Sequence, residues 1–271
     1  MSRKLGIAFG LATHVLFGVT VWSLFWFLKD GTAEGAGALP CDCLLAIQFG
    51  IIHSLVLCPP ARRRLATWFP AGLYGCIFCT ITCLSLLVTF ACWRASPVVC
   101  WSFGGWPRSL IQAAFLASWI ALIYSLSLTG LGYQTGWTPF VHWVRGQPVP
   151  RRDFKPRGAY QFFRHPVYLS FLGLVWFTSR MTLDHAVLTG IWTVYIFVGS
   201  YLKDRRLTHY LGDSYRAYQA RVPGYPLLTF SPLGKVRHDS SQDNTPRVEL
   251  RRELAQSRST GPGTPQRAFP T

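Results

Sequence analysis

An arginine and a histidine stand directly before a proline in Arg164-His165-Pro166, with Tyr160 four residues upstream of the arginine and Tyr168 just beyond the proline. A second ionisable cluster, Lys203-Asp204-Arg205-Arg206, follows an apolar stretch from Leu169 to Tyr201 that is broken only around Thr178 to His185. If that stretch enters a bilayer and returns, Arg164, His165, Asp204 and Arg205 meet at one membrane surface. Proline biases the residue before it toward extended backbone and starts a helix well, so His165 falls at the N-terminal mouth of a helix. Amide donors and the positive end of the helix dipole suit a carboxylate or another anion there. Asp204 can balance a cation, and the faces of Tyr160, Tyr168 and Trp176 can receive one. The plainer alternative is an Arg-His anchor that faces solvent and lipid headgroups.

The elements that must position these groups read as membrane helices. Leu5 to Leu28, Cys41 to Cys58, Ala71 to Trp93 and Leu110 to Leu131 are apolar runs near the ~20 residues a span requires. The first is read as a retained helix, not a secretory signal, because it is long and no clean small-residue cleavage site follows. Pro59-Pro60 ends the second run. That run holds Gln48, His53 and Ser54, and an intramembrane histidine is either a functional group or interhelical glue. The fourth run ends in small and hydroxyl residues, with Gln134 just past it. Leu169 to Phe177 is too short to span and Ala186 to Tyr201 is marginal, which suggests a hairpin that is tilted or only partly crosses.

The expected fold class is therefore all-α: a polytopic integral membrane helical bundle of four spans plus a C-terminal helical hairpin. Residues 1–144 read as scaffold, 145–232 as a core that carries the site, and 233–271 as a disordered basic tail too poor in large apolar residues to fold. Arg3-Lys4, Arg62-Arg63-Arg64 and the arginines between 145 and 164 share one side, whereas the opposite loops carry only Lys29, Arg94 and Arg108. The positive-inside rule then places the N-terminus and the active face in the cytoplasm.

Composition agrees. Half of the 271 residues are hydrophobic and 14% are charged, which excludes an ordinary soluble domain. The net charge of +16 sits at the ends of apolar runs, not in a basic, aromatic-interleaved module, so nucleic-acid binding is excluded from the leading readings. Cys76, Cys79 and Cys83 have helical spacing inside an apolar run and read as packing residues, with Cys76-x-x-Cys79 a weak redox signal and no metal site expected. Cys41, Cys43, Cys92 and Cys100 fall at run ends on the far side, where disulfides are open but unpaired by sequence.

A ligand with a carboxylate and a sulfonium would use both an anion-binding end and a cation-tolerant wall, and S-adenosylmethionine is such a ligand. Methyl transfer from it needs positioning and exclusion of water more than covalent help. Arg164-His165-Pro166-x-Tyr168, with Tyr160 before it and Tyr215-x-x-Tyr218-x-x-x-Val222-Pro223-x-x-Pro226 after it, resembles the isoprenylcysteine carboxyl methyltransferase superfamily of membrane enzymes. Phe49-Gly50-x-x-His53-Ser54, Trp68, Pro70, Trp93, Trp101, Gly130-Leu131, Gln134 and Trp176-x-Thr178-x-x-Met181-Thr182 resemble its methanethiol S-methyltransferase, NnrU and nurim-like branch. The resemblance implies a catalytic group of His165, Arg164, Asp204 and Arg205. It implies a cofactor pocket of Tyr160, His165, Tyr168 and Asp204, with His53, Ser54, Gln134 and Trp176 on the substrate side. The implied substrate is a small thiol such as methanethiol, which becomes a sulfide. Carboxyl methylation of a lipidated cysteine and a non-catalytic nurim-like role are the alternatives. Lys203 departs from the usual pair of glutamates before Arg205, Ser170 from a glycine and Ser179 from a proline.

Overall fold

The computed structural model describes residues 2–32, 39–150 and 154–226, and the tail expected from residue 233 lies outside them. Helix α1 (Arg3–Asp30) starts where Ser2 Oγ accepts from Leu5 N, satisfying one of the free amides of the first turn. Helix α2 (Leu39–Leu57) gives way at once to α3 (Pro59–Trp68), which carries its prolines in the first turn, where a missing amide costs nothing. After α3 come α4 (Tyr74–Cys92), strand β1 (Val99–Ser102), α5 (Gly105–Thr129), and the short α6 (Leu131–Gln134) and α7 (Trp137–Arg145). The chain continues through α8 (Pro166–Trp176), β2 (Arg180–Thr182), α9 (Leu183–Leu211) and α10 (Asp213–Arg221).

Five of these helices, α1, α2, α4 (with the short turn before it), α5 and α9, are long and apolar enough to cross a membrane. Their outward faces expose Trp22, Leu44 and Ile120 at 65%, 67% and 70%, a surface that only lipid would cover favourably. The chain is an all-α polytopic membrane protein.

The hairpin differs from a partly crossing one. Helix α8 has 11 residues and rises only ~16 Å, but the chain past it runs on to β2, which pairs antiparallel with β1 in the α4–α5 connection. Val99 faces Thr182 and Ser102 faces Arg180. The tip of the hairpin therefore reaches the far end of the bundle, and its second limb is a full span of 29 residues, not the marginal segment expected. Asp184 locks this end. Its carboxylate accepts from Trp93 Nε1 and from the Ser96 amide, each at 2.8 Å. Between the two ends, α8 presses on α5 so closely that a Cβ on Gly173 would stand 2.3 Å from Ser118 Oγ. Leu28, Trp93, Leu174, Val175 and Leu188 fill the core around that contact. All eight cysteines are free thiols, and Cys79 and Cys83 pack with their sulfurs 3.9 Å apart.

Two faces result. Arg3, α3, α7, the start of α8 and the end of α9 share the near one, where the Arg3 guanidinium donates to the Val144 carbonyl. Lys29, β1 and β2 mark the far one.

Candidate functional site

Pro166 opens α8 and leaves His165 at its mouth, with φ −124° and ψ 46°. Asp204 arrives at the same face near the end of α9. The two side chains meet directly: His165 Nε2 lies 3.2 Å from Asp204 Oδ2. Arg164 Nη1 donates to the same oxygen at 2.5 Å, and Tyr215 on α10 donates its hydroxyl to Oδ1 at 2.5 Å. Arg164, His165, Asp204 and Tyr215 are 5%, 3%, 6% and 2% exposed, so four polar side chains share a dry site. Such a cluster is stable only if each charge is paired, as here.

This geometry fixes the imidazole. An ionised carboxylate only accepts hydrogen bonds, so the proton must be on Nε2. Burial lowers the pKa of His165 below 6.5, while the hydrogen bond and charge of Asp204 pull the other way. The ring is then neutral, with Nδ1 a buried acceptor that has no partner. Burial, then the hydrogen bond and charge of Asp204, push the Tyr215 phenol far above its ordinary range, so it stays a donor.

Residues 222–225 cross over the cluster as a strap. Arg164 N donates to the Pro223 carbonyl at 2.9 Å, and the Tyr225 ring lies 5.3 Å from that of His165. A Cβ on Gly224 would sit 3.3 Å from His165 Cδ2 and 3.4 Å from Arg164 Nη2, so glycine lets the strap lie close. Tyr218 completes the frame by donating to the Tyr160 carbonyl at 2.5 Å.

Beside the ionic cluster is an aromatic box that already holds a cation. Tyr168 meets His165 edge-on at 5.6 Å, and the Lys203 ammonium lies 5.3 Å from the Tyr168 ring centre and 5.7 Å from that of Tyr160. The remaining residues expected at the site are elsewhere. Arg205 is exposed and lies over Tyr201 at 6.0 Å. Gln134 donates to Thr129 Oγ1 at 2.6 Å on an exposed turn. Trp176 is at the other end of α8 and donates to Thr193 Oγ1 at 3.0 Å. His53 and Ser54 do meet a partner, but inside the bundle: the Tyr195 hydroxyl is 2.7 Å from His53 Nδ1 and 3.3 Å from Ser54 Oγ. Tyr195 lies nine residues before Asp204, ~13 Å along the helix.

Sequence reasoning left Tyr215, Lys203 and Tyr195 out of the site. The Tyr215-x-x-Tyr218 spacing, which puts two phenols on one helical face, was the available signal for the first. Two cavities among the described residues lie away from the cluster. One of about 70 Å³ is at the far face beside His185, and an open apolar groove of about 620 Å³ runs along α2 beside Cys92.

Fold and site together define a multi-pass helical membrane protein with a buried, charge-balanced histidine at one face. Comparison with known proteins narrows this. The chain is 31% identical over 242 residues to methanethiol S-methyltransferase 1 of Bradyrhizobium diazoefficiens, with 81% of each chain covered. It is 26% identical over 235 residues to methanethiol S-methyltransferase of Mycobacterium tuberculosis, covering 82% of this chain and 96% of that one. Nurim of Danio rerio is 26% identical over 217 residues, covering 75% and 76%. No family model matches, and no solved structure does. The chain belongs to the methanethiol S-methyltransferase family, the nurim-like branch of the isoprenylcysteine carboxyl methyltransferase-like proteins.

Proposed function

We propose that the protein is a membrane methyltransferase that converts methanethiol, or a similarly small thiol, to the methyl sulfide, with S-adenosylmethionine as donor. The near face is then the cytoplasmic one, where the donor is available. The observation that carries the mechanism is the His165–Asp204 pair, held by Arg164 and Tyr215, with Nδ1 left free.

The residues fit the donor. A box that holds an ammonium between two phenol rings suits a sulfonium, and the α8 mouth suits a carboxylate. Tyr160 and Tyr168 would hold the cationic sulfur, and Arg164, whose Nε has no partner, would face the carboxylate end. When bound, the donor supplies an electrophilic methyl group. The protein does the rest with its own groups. Asp204 holds the imidazole in one tautomer, and Arg164 and Tyr215 hold Asp204. His165 Nδ1 accepts the proton of the incoming thiol, making the thiolate that is the nucleophile. The strap from Val222 to Tyr225 excludes water, which keeps the thiolate poorly solvated and reactive. An apolar thiol can reach the site through the bilayer, so no aqueous channel is required. His53 and Ser54 of α2 and Tyr195 of α9 provide polar groups inside the bundle for that approach.

The test is turnover. Purified protein given methyl-labelled S-adenosylmethionine and methanethiol should release labelled dimethyl sulfide, and His165→Ala should abolish release. Donor binding without a volatile product from any small thiol would refute the thiol as acceptor. A second reading, a nurim-like membrane protein without catalysis, is favoured by one feature, the cation of Lys203 beside Asp204. It predicts no donor binding.

A further inference from the structure

Lys203 has an unusual place for a lysine near a membrane face. A long cationic side chain at such a boundary ordinarily extends its ammonium into water or toward headgroups. Here it turns inward and sets the ammonium over two phenol rings, one of which touches His165. Its neighbour Asp204 favours the ammonium through its charge but makes no salt bridge with it, its oxygens accepting from Arg164 and Tyr215 and contacting His165. The two aromatic faces are its direct contacts.

We propose that the Lys203 ammonium is a built-in competitor for the cationic sulfur of the methyl donor. Its ammonium engages the faces of Tyr160 and Tyr168 and opposes a second positive charge there, whereas an uncharged sulfur in the same place meets no such opposition. This rests on the methyltransferase reading above and adds to it a reason for product release. In the transfer, the thiolate lone pair forms the new S–C bond and the electrons of the broken S–C bond stay on the donor sulfur. That sulfur becomes a neutral thioether, the thiol proton remains on His165 until solvent takes it, and the Lys203 ammonium no longer opposes a positive sulfur at the rings. The competitor thus acts against the charged donor and in favour of losing the uncharged product.

Two ligands of nearly equal shape separate this from a merely structural lysine: S-adenosylmethionine carries the positive sulfur and S-adenosylhomocysteine does not. Both are titrated into the full-length protein in detergent, wild type beside Lys203→Met and Lys203→Arg. Loss of the ammonium should tighten S-adenosylmethionine by about 5- to 30-fold, the equivalent of ~1–2 kcal/mol for a desolvated cation over aromatic faces, and change S-adenosylhomocysteine by less than about 2-fold. Lys203→Arg keeps a cation and should bind both ligands as the wild type does. Lys203→Gln gives the same discrimination if the methionine variant misfolds. Equal tightening of both ligands, or tightening of neither by the neutral variants, overturns the competitor while leaving the donor site intact. Binding of neither ligand by wild type or variant overturns the donor site and the competitor with it.

Discussion

Asp204→Asn is the most informative change at the site, because it removes one charge and keeps the shape. The carboxylate is 6% exposed and receives three donors, two of them at 2.5 Å. Without it the Arg164 guanidinium is a buried cation with no counter-charge, a situation that costs about 3–5 kcal/mol. The amide oxygen could take the Oδ2 place, where it would still accept from Arg164 and His165, or the Oδ1 place beside Tyr215, where the NH₂ group would face His165 Nε2. That contact favours the opposite tautomer, with the proton moved to Nδ1, where it blocks acceptance of the thiol proton. Two losses should therefore appear together. Thermal unfolding in detergent should show a clear drop in stability, and turnover of the folded fraction should fall by about 10²–10⁴-fold, the range of general-base contributions. Tyr215→Phe is the control: it removes one hydrogen bond to a charged group, about 1.5–3 kcal/mol, without changing the tautomer. Its turnover should fall much less than its stability suggests. The double variant should be less than additive, since both changes act on one carboxylate. Full turnover in a folded Asp204→Asn protein would refute the assignment of His165 as the base.

Two further outcomes follow from the same geometry. Burial holds the pKa of His165 below 6.5, so the fold binds fewer protons than the unfolded chain in mild acid. The contribution of neutral His165 to stability is complete above pH about 6.5 and is lost as the pH falls through the lower folded value, and turnover should fall over the same acidic window. A pH–rate profile that declines instead as pH rises from 6 to 8 would contradict a neutral imidazole base. Gly136 has φ +83°, and a Cβ there would stand 2.3 Å from the backbone carbon of Gly75. Gly136→Ala should therefore destabilise the junction of α4 and α7 by about 2–5 kcal/mol, read as lower yield and an earlier unfolding transition, with donor affinity unchanged in whatever folds.

The apolar runs, their lengths and the arginines at their ends were enough to read a multi-pass helical protein, because a bilayer demands length and hydrophobicity and little else. The sequence likewise showed that His165 and Asp204 would share a face: the stretch between them is apolar and must return. It could not show how far the hairpin goes. That depended on the β1–β2 pairing and the Asp184 lock, between residues more than 75 positions apart in the chain. Nor could it separate Arg205 from Lys203. Two residues apart on a helix, they point about 200° apart, so one faces solvent and the other the Tyr160–Tyr168 rings, and only packing against α8 decides which. Gln134 was placed by motif alone and Trp176 by motif and as an aromatic face for a cation, and the fold carries them to an exposed turn and to the far end of α8. Local chemistry set which groups could react; the direction of each side chain, on which the reaction depends, was set by contacts between helices that no single segment encodes.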